Sequence, residues 1–169
     1  MIRVVFCLSL IFALANLYAC SKNEIPPPKL TAGQRVPDLE VVDLKGHKLH
    51  IATQSGKILV VNIWATWCAP CRYEMPSLDK LAQMLGSQQY EVVGLSIDND
   101  DHLVREFLIE RKVSFNNYLD IDMEESKEKL GIRALPSTLI ISPEGNLIKL
   151  VEGARDWDTP EMLAQILKP

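Results

Sequence analysis

Two cysteines, Cys68 and Cys71, lie two residues apart in the stretch WATWCAPC at residues 64–71. A pair with this spacing can contribute to a metal site, form a permanent disulfide, or exchange electrons as a dithiol and disulfide. The apolar rings of Trp64 and Trp67 precede the pair, and we expect them to pack around it and restrict water. The chemistry therefore depends on where the two sulfur atoms lie.

An apolar strand is predicted directly before the cysteines. The run ILVVNIW at residues 58–64 is typical of a strand buried on both faces of a mainly parallel sheet. Apolar residues then recur at helical spacing until Gly86, and these are Met75, Leu78, Leu81, Ala82 and Leu85. The sequence thus places Cys68 where a central strand turns into a helix.

Cys68 is the expected attacking sulfur. Unpaired backbone N–H groups and the helix dipole stabilise a thiolate at a helix start. Because the thiolate is the nucleophile in disulfide exchange, we expect Cys68 to form the mixed disulfide with a substrate. Cys71, about one helical turn later, is placed to attack that mixed disulfide and release the product. Pro70 suits the first helical turn because it has no backbone N–H.

Metal binding and a purely structural disulfide are the alternatives to redox chemistry. A structural zinc site usually has four ligands, and besides the two thiols the mature chain offers His47, His50 and His102. A permanent disulfide closing so small a loop constrains the unfolded chain little. A CxxC pair after a buried strand is instead typical of redox proteins, so we expect no metal and no other cofactor.

The remaining chain alternates between predicted strands and helices. Residues 37–42 and 47–51 flank Lys45-Gly46 and predict a leading hairpin. Later elements are predicted as a strand at 92–97, a helix from about 100 that buries Leu103, Val104, Phe107 and Leu108, a strand at 118–121, a short helix at 123–130, a hairpin of 138–142 and 147–151, and a helix at 159–167. This order predicts an α/β domain over residues 35–169, with a central mixed sheet flanked by helices.

The N-terminus predicts export from the cytoplasm. Arg3 supplies a positive start and residues 4–15 form an apolar run, which together are typical of a signal peptide over residues 1–19. The run is shorter than the roughly 20 apolar residues of a membrane-spanning helix. An uncleaved membrane anchor is the alternative.

The stretch LYAC at residues 17–20 resembles the lipobox of bacterial lipoproteins. The resemblance implies cleavage before Cys20 and attachment of lipid to it, and Ser21 favours the outer membrane where a host has one. Residues 20–34, with prolines at 26–28, then form an extended linker. Cys7 would leave with the signal, so Cys68 and Cys71 would be the free thiols of the mature protein.

The charge pattern argues against a nucleic-acid partner. The chain has 18 basic and 22 acidic side chains, a net charge of −4, and no basic run. We expect a monomer on the periplasmic side of a membrane, tethered by its lipid, with protein thiols and disulfides as partners.

The segment VVNIWATWCAPCRYEMPSL resembles the active-site strand and helix of the TlpA, ResA and DsbE group of extracytoplasmic thioredoxin-like proteins. The stretch ALPSTLI at residues 134–140 resembles the segment that carries their cis-proline. The leading hairpin, the SPEGN turn and residues 153–157 also match, so the resemblance covers residues 33–168. It implies a thioredoxin fold with an N-terminal hairpin and a redox disulfide between Cys68 and Cys71.

The resemblance also implies a substrate-binding surface. Pro136 is expected in cis beside the disulfide, where the backbone at Leu135 pairs with an incoming peptide like an added strand. We assign Leu135, Pro136 and Trp67 to this surface.

Two positions differ from cytoplasmic thioredoxin. Asn62 stands where that protein has a buried aspartate, and an amide cannot accept the proton of the resolving thiol. Glu74 matches an acidic residue that ResA-like proteins keep near the pair, so we expect it to tune Cys71 or accept its proton. The alternative is a solvated helix glutamate paired with a neighbouring base.

The resemblance favours a reductase that delivers electrons to protein disulfides, for example those of apocytochrome c, and is recharged by a membrane electron-donor thiol protein. An oxidant or isomerase for secreted proteins uses the same chemistry, and CxxC spacing alone leaves the direction open. A thiol peroxidase of this fold would have threonine where this chain has Ala65. A periplasmic binding or chaperone module is the remaining alternative.

Overall fold

The structure is a computed structural model that describes residues 29–167. The predicted signal peptide at residues 1–19, the lipidation site Cys20 and the prolines at 26–28 lie outside the described residues. Between residues 29 and 167, no helix is long and apolar enough to cross a membrane.

One mixed sheet organises the described part of the chain. Its strands are β1 (Leu39–Val42), β2 (Lys48–Ile51), β3 (Ile58–Trp64), β4 (Tyr90–Ser96), β5 (Asn116–Leu119), β6 (Ser137–Ile141) and β7 (Leu147–Glu152), in the spatial order β2-β1-β5-β4-β3-β6-β7. Strands β3, β4 and β5 are parallel, while β6 and β7 continue the sheet antiparallel. The helices are α1 (Ala69–Leu85), α2 (Asp101–Arg111) and α3 (Pro160–Leu167). The predicted α/β class, mixed sheet and N-terminal hairpin are confirmed.

Strand β3 is the centre of the fold, and all seven of its residues are buried. Its side chains alternate between two cores, with Val60 and Trp64 on one face and Val61 and Ile63 on the other. Helix α1 covers the first face through Met75, Leu78 and Leu81. Because both faces are covered, the strand is apolar throughout except at Asn62.

The region after β5 differs from the predicted short helix at 123–130. A 3-10 turn at Ile121–Met123 leads into a π-helical turn at Glu124–Lys129. The carboxylate of Asp120 accepts the backbone N–H groups of Glu125 and Ser126, at 3.0 and 2.7 Å, and so fixes the start of the π-helical turn. Asp122 and Met123 have φ angles of 69° and 58°, a left-handed conformation that an ordinary helix excludes.

One of the four residues of α2 that were predicted to be buried is exposed. Val104, Phe107 and Leu108 are buried as predicted, but Leu103 is 50% exposed. The stripe that faces the sheet is therefore a narrow one at i, i+3 and i+4.

Candidate active site

Cys68 and Cys71 form a disulfide at the junction of β3 and α1. Their sulfur atoms are 2.05 Å apart, and Cys68 is the N-cap residue of the helix. The Cys68 sulfur accepts a hydrogen bond from the backbone N–H of Cys71, at 3.2 Å. The same N–H is placed to stabilise a thiolate on Cys68 once the disulfide is reduced.

The turn before Cys68 is held by a buried aspartate. Asp98 accepts the backbone N–H of Thr66 at 2.9 Å and its hydroxyl at 2.7 Å. The Ser96 hydroxyl donates to the same carboxylate at 2.6 Å. These bonds join the end of β4 to the turn after β3 and fix where α1 begins.

Glu74 lies on α1 three residues after Cys71, is fully buried, and accepts three hydrogen bonds from uncharged donors. Asn62 Nδ2 donates to Oε1 at 2.8 Å, while Trp157 Nε1 and the Arg155 backbone N–H donate to Oε2 at 2.9 and 3.0 Å. The Arg155 guanidinium donates instead to the carbonyls of residues 152–154. Burial raises the pKa of Glu74, and its hydrogen bonds oppose that rise only in part. Glu74 is therefore not the solvated glutamate of the alternative.

Asn62 connects Glu74 to the neighbouring strand. Its Nδ2 also donates to Thr138 Oγ1 on β6, at 2.9 Å. Its Oδ1 is buried and has no hydrogen-bond partner among the described residues. Such an unused acceptor is uncommon in a protein core. Asn62 thus binds the Glu74 carboxylate through Nδ2, while its Oδ1 accepts no hydrogen bond from the described residues.

A cavity of about 550 Å³ opens beside Cys68. Trp67, Cys68 and Leu135 all line it, so three of the predicted site residues meet here. Trp67 is 68% exposed and does not shield the pair as a buried ring would. The Leu135-Pro136 peptide bond is cis, as the resemblance implied. Cys71 is fully buried and does not line the cavity.

Several residues of the site were not predicted from the sequence. Trp157 and Thr138 hold the Glu74–Asn62 pair, and the match at residues 153–157 was the one available signal for Trp157. Met123, Lys127 and Arg133 line the cavity, and no motif pointed to them.

The metal alternative requires histidines near the thiols. His50 lies on β2, four strand spacings from β3, or roughly 19 Å at about 4.8 Å per strand. Nowhere in residues 29–167 do three or more His, Cys, Asp or Glu side chains form a group that could hold a metal ion.

Comparisons with known proteins agree with this geometry. The model of the AhpC/TSA family matches residues 32–150. The thiol-disulfide oxidoreductase ResA of Bacillus thuringiensis subsp. konkukian is 31% identical over 140 residues, which cover 83% of this chain and 79% of that protein. ResA of Bacillus subtilis is 27% identical over 140 residues.

Solved structures with the same fold include two from Bacteroides. The thioredoxin domain of a thiol-disulfide oxidoreductase from Bacteroides vulgatus has 25% identity and a TM-score of 0.69, covering 77% of this chain and 94% of that one. A thiol:disulfide interchange protein from Bacteroides sp. has 24% identity and a TM-score of 0.71, covering 83% and 92%. With its CxxC disulfide at the start of α1, the chain belongs to the AhpC/TSA family and, within it, to the ResA-like thiol-disulfide oxidoreductases of thioredoxin fold.

Proposed function

We propose that this protein reduces disulfide bonds of other proteins outside the cytoplasm, with Cys68 as the attacking and Cys71 as the resolving cysteine. The observation that carries the proposal is the asymmetry of the disulfide. Cys68 lines the cavity and accepts a backbone N–H, whereas Cys71 is fully buried. A substrate sulfur therefore reaches Cys68 first.

The reaction proceeds in two exchange steps. The Cys68 thiolate attacks a substrate disulfide, forms a mixed disulfide and releases one substrate thiolate. Cys71 then loses its proton and attacks the Cys68 sulfur, which releases the second substrate thiol and forms the Cys68–Cys71 disulfide. Two electrons pass to the substrate, and a membrane thiol protein returns two electrons to the enzyme.

Glu74 is proposed as the group that takes the proton of Cys71. The two residues are three apart on α1 and so lie on the same face of the helix. Both are fully buried, where the raised pKa of Glu74 favours a carboxyl that binds a proton. Asn62 and Trp157 orient the carboxylate.

The substrate is proposed to bind across the cavity as an extended peptide. The backbone of Leu135, before the cis-proline Pro136, provides an edge for strand-like pairing. Trp67, the residue directly before Cys68, provides an exposed apolar ring. Apocytochrome c is one substrate that fits this mode.

The reduction potential tests the direction of electron flow. The full chain is equilibrated in dithiothreitol or glutathione buffers, and the free thiols are counted by alkylation and mass spectrometry. We expect a potential below about −200 mV, in the range of reducing thioredoxin-fold proteins. A value near about −120 mV, where a strong oxidant lies, would overturn the reductase in favour of an oxidant.

We further propose that lipid on Cys20 tethers the domain to a membrane, on the periplasmic side. Lys29 pairs with Glu152 at 2.6 Å, and Glu152 pairs with Ser137 across β6 and β7, beside Pro136. The chain thus enters the domain near the end of the sheet that carries the disulfide. Nine residues from Cys20 to Lys29 reach at most about 32 Å, which keeps the site close to the bilayer.

Metabolic labelling with palmitate tests the lipid anchor. We expect the wild type to incorporate the label and Cys20→Ala to lose it, and equal labelling of the two proteins would refute the anchor.

A peroxidase and a binding module receive less support. Ala65, which is buried, stands where a peroxidase of this fold would have threonine. A binding module would keep its function in a Cys68→Ser, Cys71→Ser double variant, whereas the reductase would lose all of it.

A further inference from the structure

The cavity beside Cys68 has a charge opposite to that of the chain. The whole chain has a net charge of −4, yet the charged side chains that line the cavity are the cations Lys127 and Arg133. No carboxylate lines it, and the first turn of α1, which opens onto it at Pro70, holds no acidic residue. The positive end of the helix dipole adds to this local field.

The fold selects Lys127 from a segment of mixed charge, whereas Arg133 follows that segment. The π-helical turn Glu124–Lys129 has the sequence EESKEK, with three acids and two bases. The turn directs Ser126 and Lys127 to the cavity, while Glu124 and Glu125 line a different depression, where Glu125 pairs with Lys129 at 2.5 Å. Asp120 fixes this rotation through the N–H groups at the start of the turn.

Both cations are available to a ligand. Arg133 is exposed and forms no ion pair with any residue between 29 and 167. Lys127 is 3.4 Å from Glu128, but both side chains are about half exposed, so this surface pair is weak. An incoming carboxylate can therefore compete for either cation.

Apart from Ser126, the remaining wall is apolar. It is formed by Ile63, Trp67, Ile97, Met123, Ile132 and Leu135. A polar or strongly hydrated side chain would lose its water here without gaining a partner. A large apolar side chain next to the substrate cysteine would instead bury its surface.

We propose that the cavity selects protein segments in which the target cysteine has an apolar neighbour and a carboxylate within a few residues. The inference rests on the proposed function, because it describes the substrate of the same disulfide exchange. Lys127 and Arg133 are the specificity-determining residues. Charge complementarity of this kind acts mainly on the rate of encounter and weakens with salt.

Peptide disulfides of controlled charge test the inference. Three homodimeric peptides, each joined by one disulfide beside a leucine, differ only by Glu, Gln or Lys two residues from the cysteine. The reduced full chain is mixed with each peptide, and the second-order rate constant is followed by tryptophan fluorescence. Each rate is divided by that of dithiothreitol, whose attacking thiolate has the same charge as the Cys68 thiolate and no cationic group beside it, to remove differences in the intrinsic reactivity of the peptides.

We expect the Glu peptide to react about threefold to tenfold faster than the Lys peptide at low salt, with the Gln peptide between them. Lys127→Glu with Arg133→Glu should reverse the order. The matched control, Lys45→Glu with Lys57→Glu, changes the net charge equally at residues that do not line the cavity and should preserve it. Circular dichroism checks that both double variants are folded.

Each outcome has one meaning. Equal rates for the three peptides, or a Glu preference that survives in the Lys127→Glu, Arg133→Glu variant, would overturn the charge selection and leave the reductase intact. If the wild type reduces none of the peptides, the proposed function itself fails. A serine in place of the leucine should slow all three peptides, and an unchanged rate would refute the apolar part of the inference.

Discussion

Substitution of Glu74 separates its hydrogen-bonding role from its charge. Glu74→Ala removes the acceptor of Asn62 Nδ2, Trp157 Nε1 and the Arg155 N–H, all in a site without solvent access at Glu74. Glu74→Gln keeps one oxygen, which can accept from Trp157 and Arg155. Its new NH2 group then faces Asn62, whose amide can rotate so that Oδ1 accepts from this NH2 group and from the Thr138 hydroxyl, while Nδ2 moves to the position where Oδ1 had no partner.

The two variants should differ greatly in stability. Each buried donor left without a partner costs about 1–3 kcal/mol, and the truncated side chain adds a cavity. Because water can partly refill the space, we expect Glu74→Ala to lower the free energy of unfolding of the disulfide form by about 3–5 kcal/mol. Glu74→Gln should lie within about 1 kcal/mol of the wild type at acidic pH.

The free energy of unfolding of Glu74→Gln should rise relative to that of the wild type as pH increases. The folded protein raises the pKa of Glu74 above its unfolded value, so the folded state binds this proton more tightly. The stability that this proton contributes is complete below the unfolded pKa and is lost as pH rises through the folded pKa. Glutamine does not ionise, so the variant does not lose this stability. Its free energy of unfolding therefore rises relative to the wild type by about 1.4 kcal/mol for each unit by which folding raises the pKa of Glu74.

Urea unfolding of the oxidised proteins without added thiol measures all three free energies, at a pH below the ordinary glutamate value and at neutral pH. Far-UV circular dichroism and tryptophan fluorescence should give the same transition. A Glu74→Gln variant as unstable as Glu74→Ala would refute the rotated amide. A relative loss of stability in Glu74→Gln as pH rises would refute the raised pKa.

Three further substitutions test other parts of the structure. Trp67→Ala should slow the reduction of peptide disulfides severalfold while changing the free energy of unfolding by less than about 0.5 kcal/mol, because the ring is 68% exposed. In Gly94→Ala the new Cβ would lie 1.9 Å from Asn117 Oδ1, so the Asn117 side chain must move and lose the hydrogen bond that it accepts from Trp64 Nε1. Urea unfolding should show that the free energy of unfolding falls by about 2–3 kcal/mol. A fall of less than about 0.5 kcal/mol would contradict the close approach. Asp98→Ala should release the turn at Thr66, seen as faster amide hydrogen exchange there, and unchanged exchange would count against its anchoring role.

The elements that carry the disulfide were predictable from local sequence. The continuous apolar run of β3 required a strand covered on both faces, and Gly86 ended α1 with a φ of 68°. The SPEGN turn likewise set the β6–β7 hairpin, with Gly145 at a φ of 88°. These signals depend on neighbours in the chain.

The environment of the disulfide depends on contacts between distant residues. The burial of Glu74 requires Trp157, which is 83 residues away, and helical periodicity alone treats such a glutamate as solvated. The charges of EESKEK are typical of an exposed helix face, but Asp120 fixes the turn so that Glu125 is buried. No periodic pattern could therefore predict which charges line the cavity.

The central claim is that Cys68 attacks a substrate disulfide and Cys71 resolves the product, and trapping tests it most directly. Full-length Cys71→Ser is expressed in cells, free thiols are blocked by alkylation, and the disulfide-linked products are identified by mass spectrometry, with Cys68→Ser as the matched control. The account predicts stable mixed disulfides between Cys68 and specific proteins, and few in the control. Trapping through Cys71 in the Cys68→Ser variant at an equal level, or no captured protein in either variant, would contradict it.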